Sequence, residues 1–453
     1  MLSELIAATP ATLQALAATA PHDFPLLLDS AAEGPLSRWS MLAALPGATI
    51  RLRGDGQLEC QGVSPVGGFL DTLDAAWRSE QSASPTQPEG DRPPFRGGWV
   101  VFLGYEIARE IESGLTLPGL AGDATVAHAI RIPALLAFDH ETQQAWLIAE
   151  DAAAPGLARL REQIRSVSHA QQLAAPASLP ELQEDDPDSF LAAVRMAREH
   201  IAAGDIYQAN LSRAWRTTVP TSFDGRALYA ALRRANPSPF AAWLQTEHLQ
   251  LLSSSPERLV RSRGKKVDTR PIAGTRPRRV DGGGSAIEIA GLLASAKERA
   301  EHTMLIDLER NDLGRVCMGG TVAVDEWMVT ESYAHVHHIV SNVSGQLRPD
   351  VSPVDVLRAL FPGGTITGVP KYRCMQLIAE LEGVARGPYT GSLGYINLDG
   401  DLDFNILIRT ISIADGILSL RAGAGIVADS DPAQELNETR AKARGLLRAL
   451  GVA

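Results

Sequence analysis

Apolar residues recur at helical spacing in three stretches. From Asp188, placed to cap a helix, Phe190, Val194, Ala197 and Ile201 share one face until Gly204 ends the run. Residues 286–308 put Ile289, Leu292, Leu293 and Ala296 on a stripe, and residues 434–450 do the same with Leu436, Ala443, Leu447 and Leu450. Between these the pattern is that of strands, over residues 321–329, 336–347, 391–397, 402–413 and 417–422. Asp399-Gly400 and Asp415-Gly416 join the last three as hairpin turns. Hairpin-linked strands mean antiparallel sheet, so flanking helices predict an α+β fold and not a doubly wound parallel sheet.

Two stretches supply no face to bury. Residues 79–94 are rich in proline, serine and acid, and residues 166–186 in proline, alanine and glutamine with an acidic end. The second divides the 453 residues into an N-terminal region, 1–165, a linker, 166–186, and a C-terminal region, 187–453. A formal charge of −11 argues against a nucleic-acid partner. Cys60, Cys317 and Cys374 are too scattered for a disulfide framework or a C-x-x-C metal site. Residues 1–20 lack a basic stretch before an apolar core, and no apolar run of about 20 residues follows. A cytoplasmic protein without membrane association is expected.

The acidic residues come in spaced pairs. Glu298 and Glu301 lie three apart on one predicted helix, Glu435 and Glu438 three apart on another, so each pair shares a face. Facing one cavity they suit a hard divalent ion such as Mg²⁺; otherwise they are solvated helix faces. Asp268-Thr-Arg-Pro-Ile-Ala-Gly-Thr-Arg-Pro-Arg-Arg279 packs four arginines around a Gly-Thr turn. Phe361-Pro-Gly-Gly-Thr-Ile-Thr-Gly-Val-Pro-Lys371 joins hydroxyls and amides to a lysine. Arg409 reads as mid-strand between Leu407 and Ile411, where an unpaired charge is costly. Inward cations in an acidic chain suggest a small carboxylate ligand, with turn chemistry and internal ion pairs as the plain alternatives. Gly423-Ala-Gly-Ile-Val-Ala428 has dinucleotide-type spacing in a hairpin context that does not support it. His335 and His337 point opposite to His338 in a strand, which argues against zinc.

Taken together and in order, the motifs are specific. Asp205-Ile-Tyr-Gln-Ala-Asn-Leu-Ser212, Ser255-Pro-Glu-Arg258, Arg270-Pro-Ile-Ala-Gly-Thr-Arg-Pro-Arg278, Ala300-Glu-His302, Asp307-Leu-Glu-Arg-Asn-Asp-Leu-Gly314, the 361–371 loop, Asn405-Ile-Leu-Ile-Arg-Thr410 and Gly423-Ala-Gly-Ile-Val427 resemble the chorismate-utilising enzymes. Leu26-Leu-Leu-Asp-Ser30, Ser37-Arg-Trp-Ser40 and Gly104-Tyr-Glu-Ile-Ala-Arg109 resemble the large components of its two amino-transferring synthases.

The resemblance implies two stacked antiparallel sheets flanked by helices, with the N- and C-terminal parts interwoven and the site between the sheets. It implies Mg²⁺ held by Glu301 and Glu438 with Glu298 and Glu435 in support. Chorismate would be bound by Gly274, Thr275, Thr365, Thr367, Tyr389, Arg409, Gly423, Gly425 and Lys442. Glu257 would be the general acid, and His338 would lie near the enolpyruvyl group. Members that add water carry a lysine base where this chain has Gln208, so ammonia is the implied nucleophile, supplied by a separate glutamine amidotransferase subunit. Ala273 stands where aminodeoxychorismate synthases carry a lysine, as it does in anthranilate synthases, while several other motifs read closer to aminodeoxychorismate synthase component I. The expectation is therefore amination of chorismate to 4-amino-4-deoxychorismate, on the route to 4-aminobenzoate and folate, with anthranilate formation as the alternative. Ser30, Ser37, Arg38 and Trp39 match positions where relatives bind tryptophan; a catalytically inert tryptophan-binding regulator is the non-enzymatic alternative.

Overall fold

The computed structural model describes residues 2–32, 34, 36–82, 92–167, 181–220, 223–278, 283–332 and 336–452. Two antiparallel sheets, of 12 and 11 strands, form its centre. The first runs, in spatial order, from Leu2–Ile6 at one edge through Leu26–Asp29, Phe240–Gln245, Gln250–Ser255, Thr410–Ala414 and Ile417–Ile426 to Gln208–Thr218 and Gln183–Glu184. The second includes Ile272–Pro277, Val336–Gln346, Arg258–Arg263, Leu402–Asn405, Ser392–Asn397 and Gly98–Leu103. Both sheets draw strands from either side of residue 180, so the fold is α+β with its N- and C-terminal parts interwoven.

Alternation along the strands builds four layers. In Gly98–Leu103, Val100 and Phe102 enter the core between the sheets, while Trp99, Val101 and Leu103 pack outward against helices. In the first sheet Leu135 and Ala137 face inward and Leu136 and Phe138 outward. The helices Gly225–Ala235 and Pro432–Ala449 cover the outer face of the first sheet, and Phe69–Glu80 and Pro353–Leu360 that of the second. With both faces covered, the strands read as apolar runs and not as alternating ones.

Several expected elements are redrawn. The helix expected over 286–308 is two, Gly283–Ala294 and Ala296–Gly314. They are broken at Ser295, whose hydroxyl accepts from the Glu298 amide at 3.3 Å. Of its expected stripe only Leu292 is fully buried. The cap of Pro187–Ala202 is Asp186 and not Asp188, because Asp186 accepts from the amides of Asp188 and Ser189. The strand expected over 402–413 is also two. Leu402–Asn405 belongs to the second sheet and Thr410–Ala414 to the first, with the chain crossing between them. The 183–184 end of the expected linker adds a short edge strand opposite Trp215 and Arg216, whereas residues 168–180 lie outside the described part.

Candidate active site

The sheets meet where two segments cross between them. The strand Gln250–Ser255 ends in the first sheet, and after Pro256 and Glu257 the chain enters the second as Arg258–Arg263. The opposite crossing is residues 406–409. The Ile406 amide donates to the Glu257 carbonyl at 3.0 Å, and the Ser254 amide and hydroxyl both donate to the Arg409 carbonyl at 3.1 Å. Arg409 turns through φ +52° to make this exit. A left-handed conformation costs a non-glycine residue about 1–2 kcal/mol, and such strain gathers at functional sites. The mid-strand placement of Arg409 is thereby corrected: its direction is set by a left-handed corner and not by the pleat.

Glu257 is buried, and the Thr365 hydroxyl donates to its Oε1 at 2.8 Å. Burial pushes its carboxyl up to about 7, although Thr365, the charges of Lys442 and Arg409 and the Ile272 amide all favour the ionised form. A carboxyl that still holds its proton near neutrality can protonate a leaving group. Burial lowers the Arg409 pKa, against the pull of Tyr389, Glu438 and Glu257. Its guanidinium makes no hydrogen bond among the described residues, which suits an anionic ligand.

His338 lies on Val336–Gln346 opposite Thr275, beside a bulge formed between Ala273 and Thr275. Gly274 occupies that bulge at φ +64°, and a Cβ there would lie 2.6 Å from Glu298 Oε2. The Gly274 carbonyl accepts from His338 Nδ1 at 3.3 Å, and burial holds the imidazole down at about 4, so it is neutral near pH 7. The backbone of Thr275 is in the strand, but its side chain lies outside the described part. His337 faces away, pairing with Ser332 at 2.7 Å, and His335 is not among the described residues.

The helices Ala296–Gly314 and Pro432–Ala449 bring the glutamates to the cleft. Glu298 reaches the second sheet and pairs with Arg276 at 3.0 Å. Glu301 reaches the first, accepting from Gln208 Nε2 at 3.2 Å and lying 3.6 Å from where a Gly425 Cβ would be. Glu435 is buried, and Glu438 pairs with Lys442 at 2.7 Å. Lys442 also donates to the Gly423 carbonyl at 3.0 Å. Carboxylate oxygens are the right donors for Mg²⁺. Yet among the described residues no three acidic, histidine or cysteine side chains converge as a ready cage, and Arg276 and Lys442 pair with two of the four.

Other expected contacts are redistributed. Thr365 is committed to Glu257, and the Thr367 hydroxyl is turned to the Gly363 carbonyl at 2.8 Å inside its own loop. Lys371, expected as an anion ligand of that loop, is spent on Asp312 at 2.5 Å and the Leu360 carbonyl at 3.1 Å. The Gly-Thr turn among the arginines is the bulged strand Ile272–Pro277. Of those arginines, Arg270 pairs with Glu326 and Glu331, both at 2.6 Å, and Arg276 with Glu298. Tyr389 stands under Arg386 and Arg421, 5.6 and 6.0 Å from its ring centre, with its hydroxyl beside Gly423. Those arginines share the buried carboxylate of Glu382, which also accepts from Ser212.

A protein profile described as chorismate binding enzyme matches residues 31–448. The chain belongs to the chorismate-binding enzyme family. It is 45% identical over 362 residues to an anthranilate synthase component I-like protein of Synechocystis, covering 79% of this chain and 73% of that one. It is 40% identical over 378 residues to aminodeoxychorismate synthase component 1 of Bacillus subtilis, covering 81% and 79%. The structure superposes on anthranilate synthase component I of Streptococcus pneumoniae with TM-score 0.80 and 31% identity, covering 91% and 93%. A menaquinone-specific isochorismate synthase of Escherichia coli shares the fold, with TM-score 0.72 at 20% identity. No described helix is long and apolar enough to cross a membrane.

A cavity of about 510 Å³ is lined by Ser30, Arg38, Trp39, Arg258, Tyr395 and Asp403 among others, and includes none of Glu257, His338, Arg409 or Gln208. Arg38 pairs with Asp139 at 2.8 Å and stacks on Trp39 at 5.2 Å. Ser37, expected beside them, does not line this cavity. Three features of this chorismate-binding enzyme have no role assigned by its motifs: the Glu382–Arg386–Arg421 network, Asn210, and the buried Glu309, whose Oε1 accepts from the Gly364 amide at 3.3 Å. Asn210 and Glu309 both lie within motifs named above, Asp205–Ser212 and Asp307–Gly314.

Proposed function

We propose that the chain is aminodeoxychorismate synthase component I, adding ammonia to chorismate to give 4-amino-4-deoxychorismate on the way to 4-aminobenzoate and folate. The observation that carries the reading is Glu257, a buried acid with its pKa raised to about 7, gathered with the cation Arg409 and the neutral His338. Arg409, Lys442 and the amides of Gly423 and Gly425 bind the substrate carboxylates. Tyr389 and the 274–275 bulge line the ring's pocket, and Glu257 gives its proton to the departing C4 hydroxyl, which leaves as water. The new C–N bond forms from the ammonia lone pair, and the proton the added nitrogen sheds restores Glu257.

Glu301 and Glu438 would hold Mg²⁺, with Glu298 and Glu435 in support. Bound there, the ion would supply Lewis-acid polarisation of a substrate carboxylate, easing loss of the hydroxyl. Gln208 supports ammonia over water, since an amide cannot take a proton from water as a lysine base does. The ammonia comes from a separate glutamine amidotransferase subunit. The cavity beside Ser30, Arg38 and Trp39 would take tryptophan as a regulatory or structural ligand.

Ala273 favours a second reading, anthranilate synthase component I. The residue is buried opposite Ile339, with no amine to attack C2. For 4-amino-4-deoxychorismate to form, ammonia itself adds first at C2 with loss of water, and a second ammonia then adds at C4 and expels the first. Direct amination at C2 with pyruvate loss gives anthranilate. Product analysis separates them: chorismate, Mg²⁺ and ammonium are incubated with the protein, with and without aminodeoxychorismate lyase. Lyase-dependent 4-aminobenzoate supports the proposal; fluorescent anthranilate without lyase supports the second reading.

A further inference from the structure

Gln208 and Asn210 lie two apart on the strand Gln208–Thr218 and so share a face. Their exposures are 3% and 8%. The carboxylate of Glu301 only accepts, so the donation from Gln208 Nε2 at 3.2 Å fixes that amide with its nitrogen toward Glu301 and its oxygen turned away. Gln208 Oε1 and Asn210 Oδ1 are both buried with no hydrogen-bond partner among the described residues. Two neighbouring buried carbonyls left without donors are a costly arrangement unless a ligand completes it.

The facing strand, Ile417–Ile426, makes room for them. Asn210 pairs with Gly425 and Ser212 with Gly423 in register, and the two side-chain amides lean diagonally, Gln208 over Gly425 and Asn210 over Gly423. A Cβ on Gly425 would lie 2.6 Å from Gln208 Nε2. One on Gly423 would lie 2.6 Å from both Asn210 Oδ1 and the Tyr389 hydroxyl.

We propose that Gln208 Oε1 and Asn210 Oδ1 together form the ammonia-binding station of this enzyme. The inference rests on the amination reading and assigns its nucleophile a place. Ammonia carries three N–H donors and one lone pair, and it attacks only with that pair free. Two carbonyl acceptors hold it by its hydrogens and leave the lone pair for the ring. A neutral amide does not take a proton near neutral pH, so it holds ammonia without competing for its proton.

The test is steady-state kinetics with ammonium chloride as nitrogen donor at fixed pH, on the full chain with Mg²⁺. Asn210→Leu removes the acceptor at similar volume, and Asn210→Ala does so without adding bulk should the leucine variant not fold. The ammonia KM is expected to rise about tenfold, the equivalent of one lost hydrogen bond, while the chorismate KM stays within about twofold. An unchanged ammonia KM overturns the station while leaving amination intact. A chorismate KM that rises in step assigns Asn210 to chorismate binding and overturns it too. Wild-type protein that forms no aminated product from chorismate and ammonium removes the amination reading, and the station with it.

Discussion

Glu257 and Arg409 stand on neighbouring crossings between the two sheets, tied together where the Ile406 amide donates to the Glu257 carbonyl at 3.0 Å. One is an acid kept protonated by burial and the other a cation without a hydrogen-bond partner among the described residues, each within electrostatic reach of the other. The sheet-to-sheet crossings thus bring a buried carboxyl with a raised pKa and a buried guanidinium to one point of the fold.

The raised pKa of Glu257 gives two signed expectations. As a general acid it works protonated, so kcat/KM falls as pH rises through about 7, and Glu257→Gln lowers turnover about 100-fold or more. For stability, the folded pKa exceeds the ordinary carboxylate value, so folding takes up a proton between the two. That contribution is full at pH 4 and lost as pH rises through about 7. Denaturant titrations at pH 5 and pH 8 should therefore show Glu257→Gln gaining on the parent by on the order of 2 kcal/mol at the higher pH. No gain at pH 8 shows that the carboxyl is already ionised in its pocket at no cost.

Arg409→Gly separates strain from binding. Glycine adopts φ +52° freely, so the variant is expected to be more stable by about 1 kcal/mol while its chorismate KM rises at least about tenfold. Thermal melts and kinetics on the same preparation decide. A destabilised variant means that the guanidinium packs productively without ligand.

Gln208→Lys places an ammonium group beside Glu301 and, in its neutral form, a base for water. Some isochorismate should appear by chromatography in the absence of ammonium. Complete absence of that product undercuts the link between residue 208 and the choice of nucleophile.

Glu438→Ala is expected to abolish Mg²⁺-dependent turnover, and chelation of the metal to do the same to the parent. Because Lys442 holds Glu438 at 2.7 Å, Lys442→Ala should tighten Mg²⁺ binding in a calorimetric titration without chorismate, even as chorismate binding weakens. Turnover of Glu438→Ala at the parental rate removes Glu438 from the metal site.

The helices and hairpins were legible in the chain because they are local. Asp415-Gly416 closes its hairpin with both residues at positive φ, as the dipeptide suggests, and Leu436, Ala443 and Leu450 face inward as their spacing requires. The break at Ser295 was not, since the stripe of Ile289 to Ala296 continues through it and only the cap to Glu298 reveals the new start. Nor was the split of 402–413, because alternation reports that a strand has two buried faces and not which sheet receives it.

By itself the sequence determined the α+β class, the order of the motifs and the residue types of the site, because periodicity, turn chemistry and side-chain identity are properties of short stretches. The tertiary structure alone decided that Arg409 is a left-handed corner and not a strand residue, and that Lys371 belongs to Asp312. It also decided that Arg276 and Lys442 pair with two of the expected metal ligands, and that Gln208 Oε1 and Asn210 Oδ1 are buried without hydrogen-bond partners among the described residues. Each of these depends on which distant group shares the burial, and a buried charge or carbonyl is defined energetically by its partner.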